Sequence, residues 1–514
     1  MTARVVACAM AALAVVRASA TGPTGLTGDA ALVKVYHAIL DARFDQANVE
    51  LQRACGPSSG PAPREACDVL AATRTWWRIL LDPRSRGLDE RFSSEAEQAI
   101  ASTEAWASRE PGNAEAHFYA GGAYAARAQW RVLRNEPLGA ARDGKRIKVA
   151  LDRAIALNPA LEDAYFGVGL YEYYADVAPA AAKVLRFFLM LPGGNRTEGL
   201  AQLRRARANG TLLQGEADYQ LQVIYLWYEH RTDLAVGLLE SLRDRYPGNP
   251  IFPSQLADVQ DRYEHDLTAS LATWRALLTA AAAGRVHDAD LAAAQARLGI
   301  ARLLDALDET DAALEYVQPV IDEKPSRPFG ALAAAYLAQG EGEDRLGHRD
   351  RAVAAYRLAV AAAPSPDDAG VRERASDRLR HAPDATRAEA YRLSLNGWRA
   401  LEAGHLLDAE PLLARAVALN PHNAVARYRH ARALQARHDD GAAIAEYDAA
   451  LRGARDAPAA IAAAAFLDAA RLEERLARPE QAIAHYRAAS EWFGGSADTR
   501  AAARRALQRL HASH

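Results

Sequence analysis

Small and aromatic side chains recur at a fixed distance along the C-terminal half of the chain. Ala409, Leu413 and Ala416 are followed 34 residues later by Ala443, Tyr447 and Ala450, and Ala482, Tyr486 and Ala489 repeat the series after 39 more. Upstream, Gly347, Ala352, Tyr356, Ala359 and Pro364 carry the same pattern, and Ala235, Leu239, Leu242 and Pro247 give a looser copy. Ala312, Tyr316 and Pro319 give another. Steps of three and four place these residues on one face of a helix. Pro or Asn-Pro closes the segments at Pro111, Asn158-Pro159, Pro247, Pro364 and Asn420-Pro421, where the missing N–H stops a helix. Ile, Val and Thr never gather into alternating runs, so no strand is predicted.

A 34-residue period with the skeleton Gly-x4-Ala-x3-aromatic-x2-Ala-x4-Pro resembles the tetratricopeptide repeat (TPR) family. The resemblance implies an all-α fold, a right-handed superhelical solenoid of antiparallel helix pairs. The side chains suit that geometry on their own terms. Gly340, Gly397, Ala431 and Ala470 fall where two helix axes would come closest. Tyr356, Tyr447 and Tyr486 would fill the wider gap between neighbouring pairs.

The N-terminal half departs from the period, and two helical insertions are expected there. Pro111 to Pro159 exceeds one repeat by fourteen residues, assigned to Gln129–Asp143. Gly169 reads as the small residue of the next first helix and Gly199, Leu203 and Ala206 as its partner helix, with Ala178–Leu191 inserted between. Residues 26–82 look helical without a secure repeat position, and Phe44 opens a second helix. The organisation expected is a leader at 1–20, a helical segment at 21–84, divergent repeats at 85–250, further repeats at 251–383 and 384–493, and a capping helix at 494–514.

The leader rests on Arg4, an apolar run from Val5 to Val16 and the small-x-small box Ala18-Ser19-Ala20. Twelve apolar residues are too few to cross a bilayer, which takes about 20. Arginine supplies nearly all the positive charge, with only five lysines, a usage typical of GC-rich bacterial genomes; the compartment expected is therefore the periplasm. In an oxidising compartment Cys55 and Cys67, across the turn-rich stretch Gly56–Pro63, would pair; two free buried thiols are the alternative. A net charge of −3 argues against a nucleic-acid partner. No later segment is long and apolar enough to span a membrane.

Catalytic chemistry finds little support. Gly139-x4-Gly144-Lys145 imitates a phosphate-binding loop, but Arg146 replaces the hydroxyl and no strand precedes it; it reads instead as a loop entering a helix at Lys145. Gly56-x-Ser58-x-Gly60 lies in a proline-rich loop rather than a strand-to-helix elbow. His438-Asp439-Asp440 reads as a solvated turn, and no cofactor or metal is expected. The remaining signal is aromatic. By the resemblance, Phe118, Phe166, Tyr173, Tyr174, Trp227 and Tyr228 would line the wall of a concave groove, and the function expected is a non-catalytic scaffold for a protein or peptide. Burial of these rings beneath the Ala178–Leu191 insertion is the competing expectation. A small-ligand or enzymatic pocket formed by the N-terminal insertions is the alternative function.

Overall fold

The computed structural model describes residues 25–56, 60–178, 193–365, 367 and 369–512. The expected leader and nearly all of the Ala178–Leu191 insertion lie outside the described residues. Among the described residues there are 24 α-helices and no strand. The first eight are α1 (Asp29–Leu40), α2 (Phe44–Cys55), α3 (Arg64–Leu81), α4 (Asp89–Arg109), α5 (Ala114–Leu133), α6 (Pro137–Leu157), α7 (Ala164–Val177) and α8 (Arg196–Asn209). Next come α9 (Gln214–Trp227), α10 (Thr232–Arg245), α11 (Ile251–Arg262), α12 (Leu267–Ala282), α13 (Ala289–Ala306), α14 (Thr310–Glu323), α15 (Ala331–Arg345) and α16 (Arg349–Ala362). The last eight are α17 (Val371–Arg380), α18 (Ala385–Glu402), α19 (Leu406–Leu419), α20 (Ala424–Ala436), α21 (Asp440–Arg452), α22 (Ala459–Arg475), α23 (Pro479–Glu491) and α24 (Ala497–Ala512).

The fold is all-α and TPR-like. Ala352, Ala409, Ala443 and Ala482, all fully buried, sit at the close crossings within their pairs. A Cβ on Gly340 would lie 2.5 Å from the Tyr356 ring, and one on Gly397 2.6 Å from Leu413. Each of five successive hairpins, α13–α14, α15–α16, α18–α19, α20–α21 and α22–α23, closes through three residues whose middle member has a positive φ. Those residues are Asp308, Gly347, Gly404, His438 and Ala477. The next N–H bonds to the carbonyl five residues back, for example Glu309 to Leu304 (2.9 Å) and Arg478 to Glu473 (2.8 Å). This left-handed closure satisfies the carbonyls that a helix end would otherwise leave open. Ala477 adopts it at a cost that glycine avoids. Ala477→Gly should therefore raise stability by about 0.5–1 kcal/mol, read as a higher melting temperature.

Two expectations are corrected. The copy Ala312, Tyr316 and Pro319 is one residue out of register: in α14 the buried series is Ala313, Val317 and Val320, and Pro319 lies inside the helix. The fourteen surplus residues do not form a separate insertion. They lengthen α5 and α6 to 20 and 21 residues, against 14 in each of α7 and α8. Gly144 and Lys145 consequently fall inside α6, where their backbone N–H groups are spent on the helix and cannot cradle a phosphate, and Gly139 lies in its first turn.

The chain divides into two compact units. The first comprises the described residues to His37, with Phe44–Arg74 and Arg91–Ala217. Here Cys55 and Cys67 form a disulfide, their Cα atoms 6.4 Å apart. Leu151 of α6 fits a notch opposite Gly121 of α5 and Gly167 of α7. Gly169 faces Gly199 so closely that a Cβ on it would sit 2.8 Å from the Gly199 carbonyl oxygen. The second unit holds Ala38–Arg43, Thr75–Glu90 and everything from Asp218 on. Within it Trp77 is fully buried against Tyr219 and Phe252, ring centroids 5.0 and 6.0 Å away. Asp41 accepts the Gly248 N–H at 2.7 Å, and Asp82 accepts that of Phe329 at 3.1 Å. At its C-terminal end α24 buries Ala503 and Ala506 against Leu467, Ala470 and Tyr486 of the last pair.

Candidate interaction surface

Not all six aromatics expected along one wall reach the surface. Phe118, Phe166 and Tyr173 are buried in the first unit, which corrects their assignment as groove contacts. Phe118 meets Tyr119 edge-on at 5.0 Å, and Tyr173 meets Tyr174 at 5.6 Å. Gly167 and Gly169 bring α7, which carries Phe166 and Tyr173, close to α6 and α8, while Phe118 is buried on α5. Tyr174 is half-buried. Trp227 and Tyr228, at the end of α9 in the second unit, remain 63% and 37% exposed.

A different set of side chains comes together on the first helices of the C-terminal pairs. The Trp398 ring on α18 lies beneath two guanidinium groups of α20, Arg429 at 5.6 Å and Arg432 at 5.9 Å. It also lies 6.3 Å from the Tyr428 ring. Asp468 on α22 accepts from the Tyr428 hydroxyl (3.1 Å), from Arg432 (3.0 Å) and from Arg471 (3.2 Å). Two cations thus share one carboxylate beside an indole face. Burial raises the Tyr428 phenol above its ordinary pKa, with the Asp468 charge adding to it, so the hydroxyl stays a donor.

Arg429 is almost wholly buried and has a different task. It donates to the Ser394 hydroxyl (3.2 Å) and to the Asp308 carbonyl (2.8 Å) in the α13–α14 turn. Burial lowers its pKa, and the nearby Asp308 carboxylate works against that. The same turn is acidic, with Asp305, Asp308, Glu309 and Asp311 within seven residues, and arginines of several helices clasp it. Arg345 pairs with Asp305 and Asp308, and Arg399 reaches Asp311 through two bonds of 2.9 Å. Tyr391 closes the clasp with its hydroxyl 2.7 Å from that of Thr310.

Beneath this surface His430 is buried with Nε2 3.6 Å from Glu410 and Nδ1 3.7 Å from Glu446. The His430 imidazole first, and then the Arg427 guanidinium at 2.8 Å, hold the Glu446 carboxyl below its usual pKa. A carboxyl depressed on folding contributes stability above its unfolded pKa and loses it as pH falls through the folded value. Glu446→Gln should therefore melt below the parent at neutral pH, and the gap should close below about pH 4. A gap that is constant with pH would remove the electrostatic explanation.

The sequence did hold a signal for this surface, although the aromatic-rich stretches drew attention elsewhere. Trp398, Arg432 and Arg471 each follow the small residue of their repeat, Gly397, Ala431 and Ala470. The period alone places them in equivalent positions. The clasp of the α13–α14 turn has no such signature, since it joins residues as far as 121 apart.

An open apolar cavity of about 630 Å³ lies elsewhere in the second unit, lined by His265, Ala457, Ala459, Ala488, Trp492 and Phe493. Among the described residues no group of three or more His, Cys, Asp or Glu side chains is placed to hold a metal ion. No described helix is long and apolar enough to cross a membrane.

No protein-family model matches the chain, and no curated protein sequence matches it. Solved helical-repeat structures do resemble it. A human IFIT1 dimer with m7Gppp-AAAA shares 14% identity over 80% of this chain and 78% of its own, with a TM-score of 0.32. The TPR domain of P58(IPK) shares 14% over 80% and 99%, with a TM-score of 0.22. The APC/C hetero-tetramer Cut9–Hcn1 shares 11% over 95% and 90%, with a TM-score of 0.26. At these TM-scores none of them bears on what this chain binds.

Proposed function

We propose that the chain is an exported, periplasmic, non-catalytic scaffold that holds a peptide or protein surface against the first helices of its C-terminal pairs. The observation that carries this reading is the alignment of Trp398, Arg432 and Arg471 by the repeat register, with Asp468 fixing both arginines. An indole face beside anchored guanidinium groups is the composition of a recognition hot spot, offering apolar area and directed donors at low entropic cost. Trp227 and Tyr228 supply a second contact, since both reach solvent.

Pull-down from an envelope extract would compare the intact chain with Trp398→Ala/Arg432→Ala and Trp227→Ala/Tyr228→Ala variants, each checked for helical content. Loss of the same partner from the first variant supports the reading; an unchanged set of partners on both folded variants overturns it. Export is tested separately. Residues 1–20 fused to a reporter active only outside the cytoplasm should give signal, and a silent fusion removes the periplasmic assignment.

A further inference from the structure

The two extra turns of α5 and α6 extend past the 14 residues of the neighbouring α7 and α8, and on the α5 side Trp130 packs on the buried Phe92 of α4, ring centroids 5.7 Å apart. They also carry charge. Residues 127–149 hold seven arginines and lysines against only Glu136 and Asp143, in a chain whose net charge is −3.

The excess is built into the structure. Asp143 is fully buried and accepts from Arg127 at 3.0 and 2.8 Å and from Arg131 at 2.6 Å, with Arg146 3.7 Å away. One carboxylate thus organises three guanidinium groups and leaves them net positive. Along α6, Leu138, Arg142, Lys145 and Val149 follow at intervals of four, three and four, on one exposed face. Leu138 is 48% and Val149 61% exposed, and Val132 at the end of α5 is 68% exposed.

We propose that this end of the α5–α6 hairpin docks on an anionic lipid surface. Aliphatic side chains interleaved with long cations suit a layered partner, in which methyl groups enter the acyl boundary while the charged heads stay with the phosphates. A nucleic acid offers phosphates but no apolar layer, so it would reward the arginines and leave Val132, Leu138 and Val149 without a role. Contact is peripheral: the aliphatics are few, with Val132 and Leu138 at the hairpin end and Val149 about three turns along α6. This inference does not rest on the groove reading above.

The test is co-sedimentation of the full chain with phosphatidylglycerol–phosphatidylcholine vesicles and with pure phosphatidylcholine vesicles. Binding is expected on the anionic vesicles alone and should weaken with added salt. Arg142→Glu with Lys145→Glu should reduce it on the order of tenfold or more. Val132→Ser with Leu138→Ser, also at exposed positions, should reduce it too, with melting temperatures confirming that both variants fold. Absent binding, or equal binding to neutral vesicles, overturns the proposal. So does binding that ignores the serine variant and is fully competed by polyglutamate, which would make the partner an acidic macromolecule instead.

Discussion

Alanine in place of Asp143 should destabilise the first unit by about 3–5 kcal/mol, the cost of stranding buried cations without their counter-ion. Arg127 and Arg131 are mostly shielded from solvent, with side-chain exposures of 14% and 23%, so water cannot take over the role of the carboxylate. Asp143 raises the Arg127 pKa chiefly through their hydrogen bonds, so the guanidinium remains charged and cannot escape by losing its proton. Asp143→Asn keeps an acceptor in place and should cost less than alanine. Calorimetric or urea unfolding of the two variants beside the parent gives the ordering. A loss under about 1 kcal/mol for alanine would mean that the three arginines are already solvated.

Tyr447→Ala should cost a similar amount, about 3–5 kcal/mol, by emptying the space between two neighbouring helix pairs. The ring is fully buried among Ala431, Leu434, Ala465 and Ala469 and lies 6.3 Å from the Tyr428 ring. Its hydroxyl donates to the Gln435 side-chain oxygen at 2.6 Å. Tyr447→Phe separates the two contributions, since it keeps the ring and removes one hydrogen bond worth about 1 kcal/mol. If phenylalanine proved as damaging as alanine, the polar contact rather than the packing would be holding the interface.

Tyr447 also shows what was legible. Its distance from Ala443 and Ala450, repeated around Tyr356 and Tyr486, fixes one helix face and one neighbour, and those are local matters that spacing can report. The same logic located the helix ends at Pro247, Pro364 and Pro421. It failed in α14, where the copy Ala312, Tyr316 and Pro319 lies one residue out of step with the buried Ala313, Val317 and Val320. It failed again at Phe118, Phe166 and Tyr173, because periodicity says which face a ring occupies and nothing of what covers that face. The glycines at 167, 169 and 199 were visible, but the closeness of approach they permit is a property of three helices together. Arg429 is the extreme case. Nothing near it in sequence indicates that its partner is a carbonyl in a turn 121 residues away.

The shared three-residue closure has a bearing on how such a chain grows. A stretch excised or copied between equivalent turn centres, such as Gly404 to His438, is rejoined where the backbone already has the same left-handed bend. Tandem duplication therefore meets a ready-made splice at each of these five hairpins, and repeat number can change there without inventing a new junction. The stretch containing Arg429 is the costly one to copy: a second edition would bring a buried guanidinium to a place where the Asp308 carbonyl is already taken.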